Sequence, residues 1–368
     1  MKDFMLRNDT ELLFRNAPAE TLKELIKGRR VLFVYGGGSA LKNGCLDDVK
    51  NAVSAAGGSL YELGNASREL SDIEKGIKTA KENKIELVIG AGGASIMDCA
   101  KLIAFGVFHT EDLWDYVKGI KNPRRLERLP LILIPTYPSS GSEYGLGAVS
   151  SDSRTNDFGT AYGIAADTAI LTPKYSMSLD PEMTAYTGLV TLVQLSASTL
   201  GDKNPVSYDI GISVIKNVLK AVKKLKDAPS DANARGVILY GASISTSGRL
   251  GLGKEENYAY EIYELEFIPE VLFGASYRKS LTTVFPQFLR AMAKYHSEDI
   301  SAFLRDAFEL SADIDSSADQ LTVMFEELGV SMKFDGEFDR AALKNIPVET
   351  SLDHNEVVSI IENCLKKD

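Results

Sequence analysis

Two different apolar patterns divide this chain. In the first half, short runs of β-branched and other apolar residues recur, and each stops at glycine or proline. Val31-Leu32-Phe33-Val34-Tyr35 closes on Gly36-Gly37-Gly38, Leu87-Val88-Ile89 runs into Gly90, Gly92 and Gly93, and Leu131-Ile132-Leu133-Ile134 ends at Pro135-Thr136. Ser59-Leu60-Tyr61-Glu62-Leu63 reads as a further strand. Between these runs the spacing turns helical: over Leu46 to Ala56, over Ser71 to Lys84 with Ile73, Ile77 and Ala80 on one face, and from the Gly92-Gly93 turn through Lys101. Strands that are apolar throughout and alternate with helices predict a parallel sheet covered on both faces. Ligands of such sheets bind at the carboxyl ends of the strands, and the glycines stand at those ends.

Beyond about residue 175 the strand signal fades. Glu182 to Leu200, Tyr208 to Leu225, Ala232 to Gly248, Asn257 to Glu266, Ser280 to His296 and Ile300 to Leu310 have helical periodicity. So do Ser317 to Leu328, Arg340 to Lys344 and Asn355 to Lys367. The fold class expected is α/β plus all-α. An α/β domain over 1–175 would be followed, after a short linker near Thr172-Pro173, by an all-α domain over 176–368.

Composition narrows the class. With 368 residues the chain exceeds what one core usually serves, in keeping with two domains. The balance of 44% hydrophobic and 25% charged residues is that of a soluble globular protein, and no apolar run approaches the roughly 18 residues of a membrane span. Cys45, Cys99 and Cys364 are scattered, which points to a reducing cytoplasm and away from a disulfide framework or a cysteine zinc site. A net charge of −10 argues against nucleic acid and anionic membrane as partners.

The glycine-rich segments carry the candidate chemistry. Glycine lets backbone N–H groups approach a phosphate with no Cβ in the way, and after Gly36-Gly37-Gly38 the Ser39 hydroxyl adds a donor. Gly92-Gly93-Ala94-Ser95 opens a helix, whose free N–H groups and partial positive charge suit a pyrophosphate, with Ser95 as the expected cap. Asp98 and Lys101 follow on that helix; Asp98 would orient the turn or meet a ribose or nicotinamide group. Pro135-Thr136-Tyr137-Pro138-Ser139-Ser140-Gly141-Ser142-Glu143 forms a stiff, hydroxyl-rich wall at a third strand end. Each segment alone is equally a tight turn, a capped helix or a plain loop.

Together they resemble a known family. Val34-Tyr35-Gly36-Gly37-Gly38-Ser39, then Gly92-Gly93-Ala94-Ser95-x-x-Asp98-x-x-Lys101, then Thr136-x-Pro138-x-Ser140-Gly141-Ser142-Glu143 follow the order and spacing of the iron-containing alcohol dehydrogenases. The likeness is to the NADP-linked butanol dehydrogenase and aldehyde reductase branch. Asp115-Tyr116-Val117-Lys118-Gly119 and Gly248-Arg249-Leu250-Gly251-Leu252-Gly253 add landmarks. The resemblance implies the family's fold, a cytoplasmic homo-oligomer such as a dimer, an alcohol or aldehyde substrate, and an active site between the domains. It assigns Gly37, Gly38 and Ser39 to the adenosine ribose and its 2′-phosphate, and Gly92, Gly93, Ala94 and Ser95 to the pyrophosphate. Asp98 would lie near the nicotinamide, with Thr136, Tyr137 and Ser140 lining the cofactor. Ser39 stands where NAD-preferring relatives tend to carry an acid, so NADP is expected over NAD.

The resemblance also implies a metal, held in the family by one aspartate and three histidines, and here the pattern departs. Through the gap-free segment from Leu179 to Ala197 the aspartate position is Val190 and the histidine four residues on is Gln194. The third and fourth ligand positions fall on Glu261 and Tyr277, and a family lysine near the cofactor is Asn156. The chain's only histidines are the dispersed His109, His296 and His354, which cannot supply three ligands in the helical domain, where only His296 and His354 fall. No metal is therefore expected. Hydride transfer without one needs another electrophile. Tyr277 is the candidate catalytic acid, in a stretch that also holds Tyr260, Tyr263, Arg278 and Lys279. The alternative expectation is a catalytically silent NADP-binding sensor or regulatory partner.

Overall fold

The computed structural model describes residues 1–111, 113–201, 204–254, 257–311 and 313–366, apart from the side chain of Ser39. The chain falls into two compact units. One comprises Arg7–Leu179 with Ala242–Ser247; the other comprises Met1–Leu6, Asp180–Gly241 and Gly248–Asp368.

The first unit is built on a parallel sheet. In chain order its elements are β1 (Glu11–Phe14), α1 (Pro18–Ile26), β2 (Arg30–Tyr35), α2 (Ser39–Lys42), α3 (Cys45–Ala55), β3 (Ser59–Leu63), α4 (Leu70–Glu82), β4 (Leu87–Gly92), α5 (Ala94–Gly106), α6 (Leu113–Val117), β5 (Leu131–Pro135), β6 (Gly147–Asp152), β7 (Asp157–Tyr162) and β8 (Thr168–Leu171). The six-stranded sheet runs β1-β8-β5-β4-β2-β3, while β6 and β7 form a separate antiparallel hairpin. The expected strands are present, and each stops within a few residues of its glycine or proline. The short strands β1 and β8 and the hairpin were not among them. β1 is only four residues long and earns its place by pairing with β8, 157 residues downstream at Glu11↔Thr168.

The continuous apolar runs have a direct cause: successive side chains of a strand point to opposite faces, and here both faces are covered. Val31 and Phe33 of β2 pack with Leu87, Ile89 and Ala91 of β4 on the side of α1 and α3. Leu32 and Val34 point to the other side, with Val88, and meet Ile73 and Ile77 of α4 and Cys99, Leu102 and Ile103 of α5. Burying each such side chain stabilises the fold by about 1.5–3 kcal/mol. Gly90 fixes how closely α5 lies on the sheet, because a Cβ there would collide with Ala100.

The second unit is helical: α7 (Pro181–Thr199), α8 (Pro205–Asp227), the first ten residues of α9 (Ala232–Ser245), α10 (Ile262–Leu265), α11 (Phe267–Phe273), α12 (Tyr277–Phe308), α13 (Ile314–Glu327), α14 (Arg340–Leu343) and α15 (His354–Asn363). Residues Thr184 to Thr199 of α7 are buried all round, as a central helix requires, and α8 and α12 pack against it. Asp180, Asn204, Asp313 and Asp353 cap helices by accepting the N–H groups of Met183, Val206, Ser316 and Glu356. The two helices expected over 280–310 form a single α12 whose backbone leaves helical geometry at His296 (φ −133°, ψ 40°). Among the described residues no helix is long and apolar enough to cross a membrane.

Candidate functional site

The order of the central strands brings the glycine segments together. The chain leaves β2 for β3 on one side, then returns to place β4 on the other side of β2. That reversal is the switch point of the sheet, and the carboxyl ends of β2 and β4 beside it are the position where open parallel sheets take their ligands. Tyr35 is in register with Ala91, and Gly92 with Pro135, so the turns after β2, β4 and β5 are neighbours on one edge. Thr136 adds a bond from its N–H to the Gly92 carbonyl, 3.0 Å long.

Gly37 and Gly38 are exposed at the first turn. A Cβ on Gly37 would run into the Asn65 carboxamide, which arrives from the end of β3. Asn65 holds a left-handed backbone (φ 55°) and its exposed side chain lies against this turn. Sequence reasoning missed it, although a Gly-Asn pair directly after a strand was the available signal. The Ser39 side chain lies outside the described part.

At the second turn Gly92 and Gly93 are buried and α5 begins with Gly93 as its N-cap, with no side chain capping it. Ser95, the expected cap, does something else: its hydroxyl accepts the Arg68 N–H at 2.9 Å, tying α5 to the segment before α4. A Cβ on Gly93 would strike the Tyr137 hydroxyl, so the tyrosine closes over the turn only because this residue is glycine. Ala94 and Ser95 are partly exposed at the opening of the helix. In the third segment Thr136 is fully buried, while Tyr137 and Ser140 are partly exposed; the Ser140 hydroxyl accepts the Ser142 N–H at 3.3 Å.

Asp98 faces inward. It is 6% exposed, and its two oxygens accept the Ser142 hydroxyl at 2.5 Å and the Val149 N–H at 3.2 Å. Both oxygens are thus committed to holding the serine-rich loop and the start of β6 on α5. Burial raises its pKa, against the opposing pull of Lys101 and these two hydrogen bonds.

In the helical unit, Val190 and Gln194 lie one turn apart on α7, both buried. Gln194 Nε2 donates to the Tyr277 hydroxyl at 3.3 Å, and Gln194 Oε1 is buried without a partner. Burial raises the Tyr277 pKa, and the Glu266 and Glu270 carboxylates add to it while Gln194 opposes it. Glu261 is engaged elsewhere. Its carboxylate accepts the Thr350 hydroxyl at 2.6 Å, the Ser351 N–H at 2.8 Å and the Ser351 hydroxyl at 3.0 Å. Tyr263, two residues on, has its own pKa pushed well up by burial first, with Tyr277, Tyr260 and Glu266 adding to it. Among the described residues, no three His, Cys, Asp or Glu side chains gather where they could hold a metal ion. Asn156 sits exposed at the β6–β7 turn with a left-handed backbone (φ 54°).

Comparison with known proteins assigns the family. Residues 9–173 match the model of the iron-containing alcohol dehydrogenases. The NADH-dependent butanol dehydrogenase A of Clostridium acetobutylicum is 31% identical over 275 residues, covering 70% of this chain and 68% of that protein. The NADPH-dependent aldehyde reductase YqhD of Escherichia coli is 28% identical over 305 residues, covering 78% and 75%. The chain belongs to the iron-containing alcohol dehydrogenase family. Its fold is that of the crystal structure of a NADH-dependent butanol dehydrogenase A from Thermotoga maritima, with a TM-score of 0.88 at 22% identity over 100% of this chain and 99% of that one.

Proposed function

We propose that this protein is an NADP-linked oxidoreductase that interconverts an alcohol and an aldehyde, with Tyr277 as proton donor in place of the family's metal. The observation that carries the cofactor half is the convergence of three glycine- and serine-rich turns on the carboxyl edge of β5, β4 and β2. The uncapped start of α5 offers its first N–H groups to a pyrophosphate, and the Gly36–Gly38 turn beside Asn65 suits the adenosine ribose. The residues from Gly36 to Lys42 include no acid that would repel a 2′-phosphate, which supports NADP over NAD. The relatives are named for both nucleotides.

The donor set in the helical unit does not fit a catalytic iron. A valine has no donor atom, a carboxamide and a phenol are weak ligands, and Glu261 is already held by Thr350 and Ser351. No step is therefore routed through a metal. A bound dihydronicotinamide would supply the hydride to the carbonyl carbon. Tyr277 then has the task of neutralising the alkoxide that forms. Its oxygen accepts from Gln194, so its own proton remains available to a ligand. A phenol is neutral at working pH, the state a hydrogen-bond donor needs, and burial first, then the Glu266 and Glu270 carboxylates, disfavour its ionisation further.

The test combines metal analysis with nucleotide titration and aldehyde reduction by purified protein. Tyr277→Phe is expected to reduce turnover by about 10²–10⁴-fold while leaving NADPH affinity unchanged. Unchanged turnover in that variant would remove Tyr277 from the reaction. Stoichiometric iron or zinc in active protein would refute the metal-free reading, and NADPH binding with no turnover on short aldehydes would refute the enzymatic one.

A further inference from the structure

Lys101 is the one lysine among the described residues that is fully buried, and the proposed chemistry does not use it. It lies on α5, eight residues beyond Gly93, and its ammonium points into the segment that follows β5. Nζ donates to the Ser142 hydroxyl at 3.1 Å, the Gly145 carbonyl at 2.9 Å and the Gly147 carbonyl at 2.8 Å. An ammonium has three protons, and three acceptors meet them. Ser142 accepts from Lys101 and passes its own proton to Asp98 at 2.5 Å, so one hydroxyl joins the buried cation to the buried acid. Two charged groups act on Lys101: Asp98 from its own helix and Glu143 from the loop, the latter 2% exposed and accepting the Ser243 hydroxyl at 2.6 Å. Arg68 acts in turn on Asp98.

We propose that Lys101 is a positioning residue for the nucleotide: it clamps the Ser142–Gly147 segment to the helix that receives the pyrophosphate, and its charge couples nucleotide binding to a proton. This rests on the dinucleotide reading given above. A neutral amine has two protons and a lone pair, so deprotonation leaves one of the three acceptors unserved and frees one end of the clamp. Burial holds the Lys101 pKa down at about 8, while Asp98 and Glu143 pull it back up, so the group changes charge within an accessible range. A pyrophosphate at the start of α5 would lie about 12 Å away along the helix axis. At that distance, with an effective dielectric of ~20, one negative charge favours the ammonium by about tenfold. Reciprocity requires the ammonium form to bind the nucleotide tighter by the same factor. Affinity is therefore constant below the free-state pKa and falls as pH rises through it.

The experiment is titration of NADPH and of NADH, followed by nucleotide fluorescence, on the whole protein from pH 6.5 to 9.5. Wild-type Kd is expected to rise about tenfold above pH 8 for both nucleotides. Lys101→Met is expected to bind with a Kd that no longer changes with pH. Glu143→Gln keeps an oxygen for Ser243 and removes a charge facing Lys101, so its transition should move to lower pH. A pH-independent wild type, a transition that survives in Lys101→Met, or one confined to NADPH would overturn the proposal. If Lys101→Met does not fold, an unmoved transition in Glu143→Gln overturns it. Absence of binding at every pH would instead reject the dinucleotide reading itself.

Discussion

Placing an aspartate at Val190 on α7, where the family resemblance implies one, tests the proposed metal-free reading. Val190 is fully buried and Gln194, one turn on, already carries a buried oxygen with no donor. Val190→Asp removes a buried branched side chain, worth about 1.5–3 kcal/mol. It also buries a carboxylate near an acceptor that has no proton to offer it, which costs roughly another 1–3 kcal/mol until the carboxyl is protonated and can itself donate. The expected loss is about 3–6 kcal/mol, a large part of the 5–15 kcal/mol typical of a domain. The sign with pH follows from linkage. A buried Asp has a folded-state pKa above its unfolded one, so the folded state binds the extra proton and the deficit shrinks as pH falls through the raised pKa. Urea denaturation at pH 7.5 and 5.5, each with and without excess iron(II) or zinc, reads all three quantities. A loss under about 1 kcal/mol, or its full recovery on adding metal to this single variant, would show that the site still accommodates an ion and refute the reasoning.

Other substitutions test separate links. Gly93→Ala drives a Cβ into the Tyr137 hydroxyl and should cost about 1–3 kcal/mol, a loss that Tyr137→Ala in the same chain relieves; equal losses in the single and double variants would disprove the contact. Lys254→Met removes an ammonium that donates to the Ser198, Thr199 and Leu200 carbonyls at the end of α7, and should lower stability by roughly 1–3 kcal/mol in thermal unfolding. Asp353→Ala breaks the capping box with Glu356 and should cost about 1 kcal/mol, with the first turn of α15 losing hydrogen-exchange protection.

The sequence by itself determined the elements whose signal is local. β2, β3, β4 and β5 were legible because each is an apolar run closed by glycine, proline or polar residues, and the long helices because their periodicity repeats over several turns. The glycine turns were legible as ligand-binding candidates for the same reason. The departures at Val190 and Gln194 needed only a gap-free stretch of chain. Tertiary structure decided everything that depends on who meets whom. β1 and β8 are too short to declare themselves and exist through pairing with each other. Strand order, which turns scattered glycines into neighbours at one edge, is a matter of long-range packing. Asn65 became a candidate only when the end of β3 came to rest against Gly37. Ser95 read as a cap until the Arg68 backbone claimed its hydroxyl, and the Thr350 and Ser351 partners of Glu261 lie about ninety residues further along the chain. In the sequence Lys101 stands three residues beyond Asp98 on one helix. Its burial followed from the close fit of α5 on the sheet and from a loop more than forty residues later in the chain that folds its carbonyls around the ammonium. Hydrogen-bond donors and acceptors are written in the sequence, but their pairing is set by which chain segments desolvate one another.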